Sequence, residues 1–120
     1  PLCAQTELVG FMKTTGIVPI GYCPIARGAD TAKCPDVSQQ PGIKSAADKH
    51  SKSGPQVLLN WGLSRGHVVI PRSSNFDRLK ENIESLDFQL SPPEVEAITA
   101  IDEGHRICGS SQWIGHSVFA

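Results

Sequence analysis

Between Val68 and Asn82 a short apolar run gives way to a turn rich in donors. The run is Val68-Val69-Ile70-Pro71. The turn then carries Arg72, Ser73 and Ser74, and Arg78 follows in the next segment. A phosphate needs such a set: backbone N–H groups at a helix start, short hydroxyl donors, and guanidinium forks that can hold two oxygens at once. Each residue also has a plainer reading. Arginine is usually a solvated surface charge, and serine in a turn often bonds its own backbone.

The chemistry needs elements to position it. The stretch Gln5 to Thr15 predicts a helix, with Leu8, Phe11 and Met12 on one apolar face and Gly16 ending it. Ile17 to Gly21 predicts a short buried strand, although Pro19 cannot donate to a sheet ladder. Ala26 to Gln40 has no periodicity and reads as a long loop of the kind that often covers a ligand. A helix is expected from Pro41 to His50, with proline in its first turn. Ser53-Gly54-Pro55-Gln56 has the form of a capping box. It opens a helix with Val57, Leu58, Trp61 and Leu63 inward, ending near Gly66. His67 to Ile70 predicts a second buried strand, followed by a helix from Phe76 to Glu84. Ser91-Pro92-Pro93-Glu94 is a second box, opening a helix with Val95, Ile98 and Ile101. Gly104 to Ala120 reads as an irregular tail.

Strands alternating with helices imply a parallel sheet. Two such strands do not make a stable layer alone, because parallel sheets are covered on both faces and continued at both edges. The chain thus reads as part of a larger α/β sheet.

Composition narrows the function. The 120 residues carry a net charge of −1 and are 39% apolar. The balance argues against a nucleic-acid partner or an anionic membrane surface, which call for a basic excess. No apolar run approaches the roughly 18 residues of a membrane span. Pro1-Leu2-Cys3-Ala4-Gln5 is neither a signal peptide nor a Met start, which suggests a processed, truncated or excised chain. Cys3, Cys23, Cys34 and Cys108 form no C-x-x-C pair, so they read as free thiols of a reducing, cytoplasmic compartment. No metal spacing involves His50, His67, His105 or His116, and no G-x-G-x-x-G is present, so neither a zinc site nor a Rossmann site is expected.

Four ordered blocks carry a resemblance. Val68 to Asn82 has the form V-V-I-P-R-S-x-N-x-x-R-x-x-E-N. Gly16 to Ile25 is similar to G-I-x-x-x-A-Y-S-P-L. Gln56 to Gly66 is similar to Q-V-x-L-x-W-x-x-Q-R-G, and Asp87 to Glu94 to D-F-x-L-S-x-x-E. In this order and spacing, over residues 1–107, the chain resembles the aldo-keto reductases. The resemblance implies a partial (β/α)8 barrel, a TIM-barrel segment beginning after the sixth strand and holding strands seven and eight. It divides the chain into a barrel part, 1–103, and a tail or substrate loop, 104–120.

The function it implies is NADPH-dependent reduction of an aldehyde or ketone to an alcohol, with this chain on the cofactor side. Tyr22 would stack on the nicotinamide; from the residues alone a half-buried core ring with its hydroxyl satisfied is the preferred reading. Cys23, Pro24 and Ile25 would line the same turn, with Cys23 where the family has Ser, and Arg27 would approach the pyrophosphate. Arg72, where the family often has Lys, would grip the 2′-phosphate of NADPH or NADP+ with Ser73, Ser74 and Arg78. Glu81 and Asn82 would meet the adenine. Ile107, Cys108 and Trp113 would border the pocket for a small carbonyl substrate. The family's catalytic Asp, Tyr, Lys and His lie on earlier strands, so the missing N-terminal part of the barrel is the implied partner. The competing expectation is an inactive truncated fragment serving at most as a nucleotide-binding or assembly module.

Overall fold

The computed structural model describes residues 1–26 and 36–106. Its elements are helix α1 (Thr6–Thr14), strand β1 (Ile20–Gly21), a 3-10 turn (Val37–Gln39), helix α2 (Pro41–His50), helix α3 (Gly54–Ser64), strand β2 (Val68–Val69), helix α4 (Phe76–Glu84) and helix α5 (Pro92–Thr99). The order expected from sequence is met, and α2 and α4 begin and end where the sequence places them.

Local chemistry explains these boundaries. At α3 the Ser53 N–H donates to Gln56 Oε1 at 2.9 Å and the Gln56 N–H donates to Ser53 Oγ at 3.4 Å, a reciprocal box. At α5 Glu94 Oε2 accepts from the Ser91 N–H at 2.7 Å and from its hydroxyl at 2.6 Å. Gly16, at φ 72°, turns the chain out of α1, a conformation in which a side chain is strained.

β1 and β2 are parallel neighbours, with Ile20 opposite Val68 and Gly21 opposite Val69. Both strands are shorter than expected. Pro19 directly precedes β1; its carbonyl accepts the Val68 N–H at 2.9 Å, but it has no N–H to extend the ladder.

The two faces of this sheet differ. His67 and Val69 are half-buried against the helix layer with Gly21, and Pro19 is buried. A Cβ on Gly62 of α3 would lie 2.8 Å from Val69 Cγ1, so glycine lets the helix sit down on the strand. Val18, Ile20, Tyr22, Val68 and Ile70 line the opposite, exposed face. Val69 thus keeps a packing partner, whereas Ile17, Val18, Ile20, Val68 and Ile70 of the expected strands lie open.

The core lies among the helices. Ile43 and Ala46 of α2, Val57, Leu58 and Trp61 of α3, and Ile98 of α5 pack with Leu2, Ala4, Val37 and Leu90. α3 is buried almost all round, from Gln56 to Gly62, while Leu63 is half-buried rather than inward. One expectation fails at α1. Val9 is its buried residue, while Leu8 and Phe11 are exposed and Met12 is half-buried. Sequence spacing marks an apolar face but cannot say which element covers it; Leu8 and Phe11 lie uncovered. The start of the expected tail is tied back: the Glu103 and His105 N–H groups donate to the Leu2 carbonyl at 3.2 and 2.8 Å. No helix among the described residues is long and apolar enough to cross a membrane.

Candidate functional site

Parallel pairing puts the C-terminal ends of β1 and β2 at the same end of the sheet. The turns that follow carry the two groups of residues singled out from sequence. Tyr22 directly follows β1 and is 68% exposed, its ring on the open face with Ile20 and Ile70. The core-ring reading of Tyr22 therefore does not hold within this chain. Cys23 is half-buried with φ 52°, and Ala26 with φ 53°, closing a tight turn in which the Ala26 N–H donates to the Cys23 carbonyl at 3.0 Å. Left-handed backbone at two non-glycine residues holds Pro24 and Ile25 in place. Ile25 packs against the helical core.

The turn after β2 is organised by its own side chains. Ser73 Oγ accepts the Asn75 N–H at 3.1 Å and donates to the Asn75 carbonyl at 3.2 Å. Asn75 Oδ1 accepts the Arg78 N–H at 3.0 Å and so caps α4. Asn75 is the asparagine of the R-S-x-N form, and its place directly before a helical run is the signal of a cap. Arg72, Ser74, Arg78 and Glu81 are exposed, and Ser73 and Asn82 are half-buried. Arg78, Glu81 and Asn82 fall at i, i+3 and i+4, on one side of α4.

α4 is held from behind by α3. Gln56 Nε2 donates to the Glu81 carbonyl at 3.0 Å. Asn60 Nδ2 donates to the carbonyls of Ser85 and Phe88 at 2.9 and 2.8 Å, and its Oδ1 accepts the Leu90 N–H at 3.1 Å. These residues position the turn without entering it. Gln56 was visible in the sequence as a capping residue, but the contacts that Gln56 and Asn60 make with α4 were not.

A groove of about 440 Å³ adjoins the β1 end. It is bordered by Tyr22, Cys23 and Pro24, by α1, and by Arg65 and His67, but by none of Arg72, Ser73, Ser74, Arg78, Glu81 or Asn82. The two groups share one end of the sheet and do not share one cavity. Burial and the nearby cations of Arg65 and Lys13 lower the His67 pKa, which favours its neutral form. Cys3 is a free thiol. Among the described residues no cluster could hold a metal ion. Arg27, Cys34, Ile107, Cys108 and Trp113 lie outside the described residues.

Two parallel βα units in series define the class as α/β, with both turns at the carboxyl ends of the strands. The family model described as Aldo/keto reductase family matches residues 1–103. The chain belongs to this family, whose fold is the (β/α)8 barrel. It is 38% identical over 113 residues to an NAD(P)H-dependent pentose reductase of Pyricularia oryzae, a match covering 88% of this chain and 34% of the relative. It is 47% identical over 114 residues to a probable NAD(P)H-dependent D-xylose reductase of Arthroderma otae, covering 88% and 35%. The crystal structure of Bombyx mori aldo-keto reductase AKR2E4 in complex with NADP superposes with a TM-score of 0.79 at 35% identity, over 94% of this chain and 38% of that one. The chain thus spans little more than a third of the length of the relatives it matches.

Proposed function

We propose that this chain is the C-terminal part of an NADPH-dependent aldo-keto reductase that reduces aldehydes or ketones to alcohols. β1 and β2 are then strands seven and eight of the barrel, 1–103 its barrel part and 104–120 its substrate loop. The observation that carries the reading is the parallel register. It sets Tyr22 and the Arg72–Arg78 turn at the carboxyl ends of adjacent strands, the end at which barrels of this kind build their sites.

The residues fit the cofactor. Among the described residues neither Arg72 nor Arg78 has a carboxylate within 4.0 Å, so both cations are available to a phosphate. The Tyr22 ring is open for stacking. In this reading Arg72, Ser73, Ser74 and Arg78 hold the 2′-phosphate, and Glu81 and Asn82 meet the adenine. Tyr22, with Cys23, Pro24 and Ile25 behind it, holds the nicotinamide, and Arg27 the pyrophosphate. Ser73 gives up its bond to Asn75 to serve. Ile107, Cys108 and Trp113 border the small carbonyl substrate. The bound nicotinamide supplies the hydride. Proton transfer falls to residues of the N-terminal part of the barrel, which this chain does not carry. The free thiol of Cys3 supports a cytoplasmic setting.

The uncovered apolar sheet face also favours a second reading, an inactive fragment whose role is nucleotide binding or assembly. One titration tests the shared core of both. Adenosine 2′,5′-bisphosphate should bind the 120-residue chain more tightly than adenosine 5′-monophosphate, and Arg78→Ala should remove the difference. Equal binding of the two nucleotides by the parent chain overturns the phosphate assignment.

A further inference from the structure

Ser73 and Ser74 are consecutive and differently placed. Ser73 is half-buried, and its hydroxyl is committed in both directions. It accepts the Asn75 N–H at 3.1 Å and donates to the Asn75 carbonyl at 3.2 Å. Ser74 stands at the bend of the same turn and is exposed. Its hydroxyl has no hydrogen-bond partner among the described residues. The polar residues around it, Arg72, Asn75, Asp77 and Arg78, are exposed as well. An enzyme that modifies a side chain reaches it on such a surface turn.

Charges of both signs frame the Ser74 hydroxyl. Asp77 lies three residues beyond it, in the first turn of α4. Acid-directed serine kinases read a carboxylate at that spacing. Arg72 lies two residues before Ser74 and Arg78 four residues after it. Among the described residues neither guanidinium has a carboxylate within 4.0 Å.

We propose that Ser74 is a phosphorylation site, and that its phosphate occupies Arg72 and Arg78 and so excludes the 2′-phosphate of NADPH, a regulation that rests on the proposed function. In the transfer the bond from the γ-phosphorus of Mg-ATP to its bridging oxygen breaks, and ADP leaves with the electron pair. The bond from Ser74 Oγ to phosphorus forms, and the hydroxyl proton passes to the kinase's base. The product carries close to two negative charges and three acceptor oxygens, which suit guanidinium forks. Asp77 opposes it with one carboxylate, against two cations that favour it. A phosphate tethered to the turn also competes at high effective concentration with one arriving on a free nucleotide. A nucleotide without a 2′-phosphate does not draw on these cations and is spared. The turn stays reachable in a complete barrel, because the cofactor enters at the carboxyl ends of the strands.

The test treats the 120-residue chain with casein kinase II and Mg-ATP and maps the phosphate by mass spectrometry. The product is titrated with adenosine 2′,5′-bisphosphate and with adenosine 5′-monophosphate. Phosphate should appear on Ser74 and not on Ser73. Asp77→Asn should suppress its incorporation and leave the bisphosphate affinity of the unmodified chain as it was. The phosphorylated chain should bind the bisphosphate about tenfold more weakly, the scale of one lost charge-assisted contact, and the monophosphate as before. A chain made with phosphoserine at position 74 should show the same split and keep its helical circular dichroism. No phosphate at Ser74 overturns the site. A phosphorylated Ser74 that leaves the bisphosphate affinity intact overturns the regulation, with the 2′-phosphate assignment still standing. Equal loss of both nucleotides together with the helical signal marks unfolding and overturns the regulation too. An unmodified chain that binds both nucleotides equally removes the 2′-phosphate assignment itself, and the regulation falls with it.

Discussion

The Asn60 side chain donates to the Phe88 carbonyl at 2.8 Å, across 28 residues of sequence. With its bonds to Ser85 and Leu90 it fastens the link between α4 and α5 onto the buried helix α3. α4 carries Arg78, Glu81 and Asn82, so this fastening sets where the proposed adenine and phosphate contacts stand. Asn60→Ala should destabilise the fold by about 1–3 kcal/mol, because it removes the side-chain donor to the Ser85 and Phe88 carbonyls and the acceptor of the Leu90 N–H. Urea unfolding measures this directly. A midpoint unchanged by the substitution would mean that water replaces the amide at no cost.

Arg72→Ala should separate the two nicotinamide cofactors. In the assembled barrel it should weaken NADPH about ten- to a hundredfold, the effect of one charge-assisted contact at roughly 1.5–3 kcal/mol. NADH, which lacks the 2′-phosphate, should bind nearly as before. Parallel loss of both in a fluorescence titration removes Arg72 from the phosphate site.

The 120-residue chain alone should not oxidise NADPH in the presence of an aldehyde. Its only tyrosine, Tyr22, stands at the place proposed for stacking, and a placed proton donor typically contributes about 10²- to 10⁴-fold to such a reaction. Turnover by a preparation of verified mass would show that the chain holds a proton donor of its own.

What the sequence made legible was local. The Ser53/Gln56 and Ser91/Glu94 boxes set helix starts through contacts three residues apart, and both form as read. The turn after β2 was recognisable because its residues are consecutive. Contacts between distant segments were not legible. The spacing of Leu8, Phe11 and Met12 announced an apolar face, but the structure leaves Leu8 and Phe11 exposed and turns Val9 inward. Phe76, at 82% exposure, and Ile83 show the same on α4. A pattern of apolar residues states that a surface is to be buried and is silent on what buries it. The partners of Asn60 were hidden for the same reason.

Acid should weaken the fold in two separable steps. Glu94 is held at a pKa of about 2, first by the Ser91 hydroxyl, then by the Ser91 N–H, Lys49 and His50. A carboxylate depressed on folding contributes stability that is complete above its unfolded pKa, near 4.5, and is lost as the pH falls toward 2. His67 is lowered from 6.5 by burial and by the cations of Arg65 and Lys13. Its unfolded form takes up a proton that the folded form resists, so stability falls as the pH drops below 6.5. Both shifts have the same sign, and the two losses begin at different pH, below 6.5 for His67 and below 4.5 for Glu94. His67→Gln should abolish the loss that begins below 6.5 and keep the one below 4.5. Ser91→Ala, which takes away the leading donor to Glu94, should shrink only the lower step. Urea midpoints recorded from pH 7 to pH 3 distinguish the two. A parent chain whose midpoint is flat from pH 7 to pH 5 would show that His67 is solvated in solution, with the groove beside it already wet.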